Sequence, residues 1–183
     1  ANTALGYNAA AANTSGVRNL AIGYQAYDAS DTENDNIAIG YQAMTTDTAG
    51  GSENIALGNY ALDALTSGDK NVAVGQNALG ANNSGGSNTS VGHNSMDANT
   101  TGSYNTAFGR DSLGTNTTAS NNTAYGYNTL GVNVTGASNV AIGVDALANN
   151  LASNNTAVGF QALIANTTGT NNVAMGHGAL DAN

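Results

Sequence analysis

The sequence predicts an all-β protein, a parallel β-solenoid (β-roll) of eleven coils of about 17 residues, and three observations carry that prediction. One phrase, seen as NTAVGFQALIANTTGTN at 155–171, recurs along the whole 183-residue chain. Its opening residues alternate large and small, which is the period of a strand. Its later half is rich in Asn, Thr and Gly, the chemistry of turns.

The register is set by an asparagine, taken as position 1. It falls at Asn2, Asn19, Asn36, Asn54, Asn71, Asn88, Asn105, Asn122, Asn139, Asn155 and Asn172. Successive starts are 17 residues apart, except for one spacing of 18, with an added residue near Gly50 and Gly51, and one of 16 before Asn155. Both changes fall late in the phrase. Packed arrays take length changes in loops, so the late segment reads as the loop.

Each position then has an expected role. The position 1 column, including Asn19, Asn36, Asn71, Asn88, Asn105, Asn122 and Asn139, is expected to form an amide ladder along the rod, as stacked Asn does in cross-β assemblies. Positions 2 to 5 read as a strand with one bulky face and one small face. Position 4 is always large and apolar: Leu5, Ile22, Ile39, Leu57, Val74, Val91, Phe108, Tyr125, Ile142, Val158 and Met175. Position 9 is apolar as well, from Tyr27 and Met44 to Leu147 and Leu163.

Positions 4 and 9, with position 2, are expected to fill a thin interior, where burial supplies about 1.5–3 kcal/mol per side chain. Position 5 is always Gly, at Gly6, Gly23, Gly40, Gly58, Gly75, Gly92, Gly109, Gly126, Gly143, Gly159 and Gly176. That column predicts a positive φ or a close backbone approach. The phrase as a whole reads as two short strands joined by turns.

A helical repeat is a poor alternative. Helical units need roughly 33 residues or more, and Gly, Asn and Thr are weak helix formers. Coils stacked about 4.8 Å apart would make eleven turns a rod of roughly 50 Å. One coil cannot bury its own apolar stripe, so only the stack is stable.

Composition removes several function classes. Three Lys and Arg stand against twelve acids, a formal charge of −9, so no nucleic-acid partner is expected. The same balance disfavours an anionic membrane surface. No apolar run reaches the roughly 18 residues of a membrane span, so no membrane insertion by this segment is expected. Cys is absent, which excludes disulfides and thiolate metal sites. Charged residues are scarce at 8%, yet apolar content is ordinary at 40%; disorder usually combines the opposite extremes.

The segments NVAIG (139–143), NIAIG (36–40) and NTAVG (155–159) resemble the head repeats of trimeric autotransporter adhesins. The longer form, NTAxGxxAL followed by NTTGxN, also looks like the repeat arrays of phage and bacterial tail-fibre-domain proteins. The resemblance covers the whole chain, although adhesin head repeats are typically shorter. It implies a left-handed β-roll, assembly as a homotrimer, and an extracellular place on a cell surface or virion fibre. The small face at positions 3 and 5 has two readings: close packing around a shared trimer axis, or a tight turn within one coil.

Candidate chemistry is sparse. His93 and His177 both occupy position 6, five coils and so about 24 Å apart, too far to share a proton or a metal. No nucleophile elbow and no carboxylate pair with a matched base is present, so no enzyme is expected. Asp28, Asp31, Glu33 and Asp35 could ligate calcium, or form a solvated acidic loop. They match neither an EF-hand nor the Gly-Gly-x-Gly-x-Asp calcium roll. No other cofactor is expected.

Position 6 carries Tyr7, Tyr24, Tyr41, Tyr127 and Phe160. If this column faces outward, the first three form an aromatic row over successive coils. Such a row either binds sugar rings or another fibre, or acts as a tyrosine ladder that stiffens the rod. The sequons at Asn99, Asn116 and Asn166 matter only in a eukaryotic secretory route and otherwise read as turn residues. An ice-binding solenoid needs a continuous Thr column, whereas position 2 is Thr in only five coils, and position 13 is interrupted by Asp31, Asn83, Val134 and Leu151.

The first Asn follows a single residue, and Asn183 falls at position 12 of the eleventh coil. Neither end reads as a polar cap. The array is therefore expected either to belong to a longer chain or to stack end to end as a filament. The expected function is a non-enzymatic extracellular fibre segment, a rigid shaft or head that mediates attachment to a host surface or matrix glycan or protein. The phage tail-fibre shaft and the self-stacking filament subunit are the alternatives.

Overall fold

The computed structural model describes residues 1–30, 32–46 and 51–181. Each coil contributes one strand of three residues: β1 Thr3–Leu5, β2 Leu20–Ile22, β3 Ile37–Ile39, β4 Ile55–Leu57, β5 Val72–Val74, β6 Thr89–Val91, β7 Thr106–Phe108, β8 Thr123–Tyr125, β9 Val140–Ile142, β10 Thr156–Val158 and β11 Val173–Met175. They form one parallel sheet in chain order. Like pairs with like: Ile55, Ala56 and Leu57 face Val72, Ala73 and Val74 across the ladder. The 16-residue coil causes no slip, since Val140, Ala141 and Ile142 still face Thr156, Ala157 and Val158. The chain is a β-solenoid of about ten turns.

Among the described residues the expected second strand does not form. Positions 6 to 10 instead form a tight turn held by two left-handed residues, at positions 7 and 9. In coil 5 these are Asn77 (φ 56°) and Leu79 (φ 52°), and Lys70 at position 17 of coil 4 is a third type of reversal (φ 60°). A left-handed L-residue costs roughly 1–2 kcal/mol, and a leucine there is unusual. Two gains offset it. Each reversed amide hydrogen-bonds across the stack, as Leu79 N–H does to Ser95 O at 3.0 Å, and the side chain at position 9 is driven into the interior.

That interior is arranged differently from the sequence expectation. Position 9 is inside, with Tyr27, Met44, Leu62, Leu79, Met96, Leu113, Leu130, Leu147 and Leu163 fully buried. Positions 2 and 4 are not. The inward strand residue is the alanine at position 3, fully buried at Ala21, Ala38, Ala56, Ala73, Ala107, Ala124, Ala141 and Ala157. A second small column at position 8 joins it, through Ala26, Ala43, Ala61, Ala78, Ala146 and Ala162. The reason is width. The leucine column reaches across a coil too narrow for a second large residue, so only alanine or serine fits opposite, and the bulky strand residues turn outward.

The glycine at position 5 meets both expectations. Its φ lies between 125° and 145° in every coil. At Gly75, an added Cβ would overlap the carbonyl oxygen of Gly92 in the next coil. No other residue suits that corner.

Candidate functional site

The position 1 asparagines do form a buried ladder, of a different kind from stacked amides. Each Oδ1 accepts the backbone N–H of the next coil's asparagine, as from Asn36 to Asn19 (2.9 Å) and from Asn105 to Asn88 (2.9 Å). From Asn2 to Asn155 each Nδ2 donates to the carbonyl that closes its own coil, at position 15 in the 17-residue coils, as Asn71 does to Gly85 (2.9 Å) and Asn122 to Gly136 (2.9 Å). Asn172 Nδ2, by contrast, finds no partner among the described residues. One side chain thus closes its own coil and ties it to the next. Such buried amides are costly unless satisfied, and here the geometry satisfies them by repetition.

Amide-to-amide bonds occur once between position 1 residues, from Asn71 Nδ2 to Asn54 Oδ1 at 3.1 Å, and chiefly at position 12, which reads from sequence as turn chemistry. The position 12 series is interrupted at Asn133, the Asn116 and Asn133 Oδ1 atoms having no partner among the described residues. Asn99 Nδ2 donates to Asn82 Oδ1 at 2.8 Å, Asn116 to Asn99 at 2.8 Å and Asn166 to Asn150 at 2.7 Å. Asn82, Asn99, Asn116, Asn133 and Asn150 are fully buried. The three sequon asparagines Asn99, Asn116 and Asn166 are therefore interior residues with committed amide nitrogens, a correction to their reading as simple turn residues. The available signal was the unbroken Asn column itself, from Asn82 to Asn166.

The position 6 residues face outward. Tyr7, Tyr24 and Tyr41 are 65%, 43% and 41% exposed. Their rings stack face to face, 5.3 Å and 5.2 Å between centroids at 15° and 7°. Tyr60, from position 7 of coil 4, closes the row edge-on at 5.4 Å from Tyr41. In the adjacent position 7 column Gln42 Nε2 donates to Gln25 Oε1. Inside the row the faces are turned to one another, so solvent meets ring edges. Farther along, Arg110 lies over the Tyr127 ring (5.9 Å) and Phe160 stacks on His177 (5.2 Å).

The acidic residues of coil 2 are dispersed. Asp35 takes two bonds from Arg18, at 2.5 and 2.7 Å, and that hydrogen-bonded guanidinium holds its carboxyl below the ordinary range. Glu33 is buried and its carboxylate accepts from the Thr32 N–H and hydroxyl. Burial raises Asp28. Asp31 lies outside the described residues, and among those described no group of three or more His, Cys, Asp or Glu side chains converges as a metal site.

What sequence reasoning missed is the outer face of the sheet. Its two columns are position 4, with its unbroken series of large apolar residues, and position 2, a mixture of Ile, Leu, Val and Thr. Phe108 and Tyr125 stack there at 5.2 Å and 12°, and Leu5, Tyr125, Ile142 and Met175 are exposed. Ile22, Ile39, Leu57, Val74, Val91 and Val158 in the same column are half-buried, so the strip is apolar along its whole length on an otherwise polar chain. Among the described residues no helix is long and apolar enough to cross a membrane. No family model, curated protein or solved structure matches this chain.

Proposed function

We propose that the chain is a non-enzymatic structural segment of an extracellular fibre, a rigid shaft or head that packs against copies of itself and carries surface contacts on its turns. The carrying observation is the outer sheet face, with its apolar position 4 column running through every strand from Leu5 to Met175. Identical copies share one coil rise. Parallel copies arranged around an axis along the rod therefore match column to column over their full length. Three copies are the number implied by the adhesin-like repeat motif. Burying this strip adds an inter-chain core to the slender one within each coil.

Sedimentation equilibrium tests the reading. The expected species has three times the 18.1-kDa chain mass, and Val74→Lys with Val91→Lys is expected to convert it to monomer with unchanged circular dichroism. A wild-type monomer at all accessible concentrations would overturn it. A continuous filament in electron micrographs would favour end-to-end stacking instead.

A further inference from the structure

One groove on the turn preceding the strands is unlike its neighbours. It spans coils 4 to 6, has a volume of about 330 Å³, and is lined by Ser67, Asp69, Lys70, Ser84, Ser87 and Tyr104, together with Gly68, Gly86 and Ser103. That size falls at the lower end of small-molecule sites.

The groove exists because a column is interrupted. Position 17 carries Lys70, Ser87 and Tyr104 in successive coils. Lys70 and Tyr104 thus stand about 9.6 Å apart by the stacking step, with a small residue between them. Position 16 repeats the pattern, with Gly86 between Asp69 and Ser103. Both walls are fixed by the backbone. Lys70 and Tyr104 have φ of 60°, and their N–H groups bond Ser52 O and Gly86 O across the stack at 3.1 Å.

The wall chemistry points to one class of ligand. Tyr104 is 67% exposed and, unlike the Tyr7–Tyr24–Tyr41 row, stacks on no other ring among the described residues. It offers an apolar face with a polar tip. Lys70 is the chain's single lysine and has no ion-pair partner among the described residues. Asp69 spends one carboxylate oxygen on the Ser52 N–H; its other oxygen and the Ser67, Ser84 and Ser87 hydroxyls suit a hydroxyl-rich ligand. A ring with a hydrophobic face and several hydroxyls matches Tyr104, the serines and Asp69, and one negative charge on it would pair with Lys70.

We propose that this groove binds a carboxylate-bearing pyranose, a uronic or sialic acid unit of a surface glycan, with its ring against Tyr104 and its carboxylate on Lys70. This deepens the surface-contact part of the function proposed above and does not depend on the number of chains in the assembly.

The test is titration of the purified chain with sialylated and glucuronate-containing oligosaccharides, with neutral oligosaccharides of equal length as the comparison. Acidic glycans are expected to bind more tightly than neutral ones. Tyr104→Ala is expected to weaken binding by about tenfold, and Lys70→Ala to abolish the preference for acidic sugars. Ser87→Tyr, which fills the slot, should remove binding, while Tyr41→Ser should leave it unchanged. Equal binding by wild type, Tyr104→Ala and Lys70→Ala would overturn the proposal, as would failure of the wild type to bind any acidic glycan. Sedimentation of the same variants keeps the two readings apart: loss of sugar binding with wild-type mass leaves assembly untouched.

Discussion

Coils 2 to 4 (residues 19–70) and coils 5 to 10 (residues 71–171) share a backbone but not an interior. In the later block position 12 is always Asn, and amide bonds join Asn82 to Asn99, Asn99 to Asn116, and Asn150 to Asn166. In the earlier block that column reads Ser30, Asp47 and Leu65, Asp47 lying outside the described residues. The buried Ser30 hydroxyl has no hydrogen-bond partner among the described residues. Leu65 is simply apolar and fully buried.

Coil 2 compensates from the other side of the coil. Its position 9 residue is Tyr27, whose hydroxyl donates to Glu33 O at 3.4 Å and accepts from Asn36 Nδ2 at 2.8 Å. In coils 5 to 8 that position 15 carbonyl is served by the position 12 asparagine, as Asn82 serves Gly85 at 2.9 Å. Large-plus-small at positions 9 and 12 in coil 2 thus replaces leucine-plus-asparagine. The lesson is that each carbonyl must be satisfied, and the residue that does so can change.

Five changes would break or sharpen this contrast. The largest effect is expected for Leu113→Ala, which empties a fully buried site in the ladder block. Urea unfolding should show a loss of about 2–5 kcal/mol. Next is Asn116→Ala, which removes the donor to Asn99 Oδ1 and to Ala119 O. Two buried acceptors then lose a bond, at about 1–3 kcal/mol, whereas Leu65→Asn in the earlier block should stay within about 1 kcal/mol of wild type because Gly68 O and Asn82 stand ready as partners. Tyr27→Phe should cost about 1 kcal/mol by the same assay; no loss at all would remove the compensation argument.

The smallest is electrostatic. Burial raises the carboxyls of Asp63 and Asp97, and Asp111 adds repulsion at Asp97. A folded-state pKa above the unfolded value stabilises below the unfolded pKa and loses that contribution as pH rises through the folded pKa. Asp35 runs the other way, its stabilisation lost as pH falls through its lowered pKa. Asp97→Asn should therefore raise the melting temperature at pH 7 and leave it unchanged below the unfolded aspartate range, as followed by circular dichroism.

The solenoid was legible because its period, its invariant glycine and its asparagine start are all written in one dimension. Gly75 shows why: a positive φ and a blocked Cβ leave one residue type, so the column advertises itself. Sidedness was not legible. Val72-Ala73-Val74 alternates equally well with alanine in or out, and only the width left by Leu79 decides between them. The outer apolar strip and the Lys70–Tyr104 groove were hidden for related reasons. One depends on that sidedness, the other on residues 17 apart becoming neighbours.

Sidedness is also the claim on which the proposed self-assembly rests, and adjacent residues test it. Ala73→Leu and Val74→Lys should be unfolded in urea at a concentration where the assembly has dissociated. The structure predicts that Ala73→Leu overpacks the coil and loses about 1–3 kcal/mol, while Val74→Lys costs less than about 1 kcal/mol. Severe destabilisation by Val74→Lys with Ala73→Leu tolerated would place the valine face inside and contradict the account.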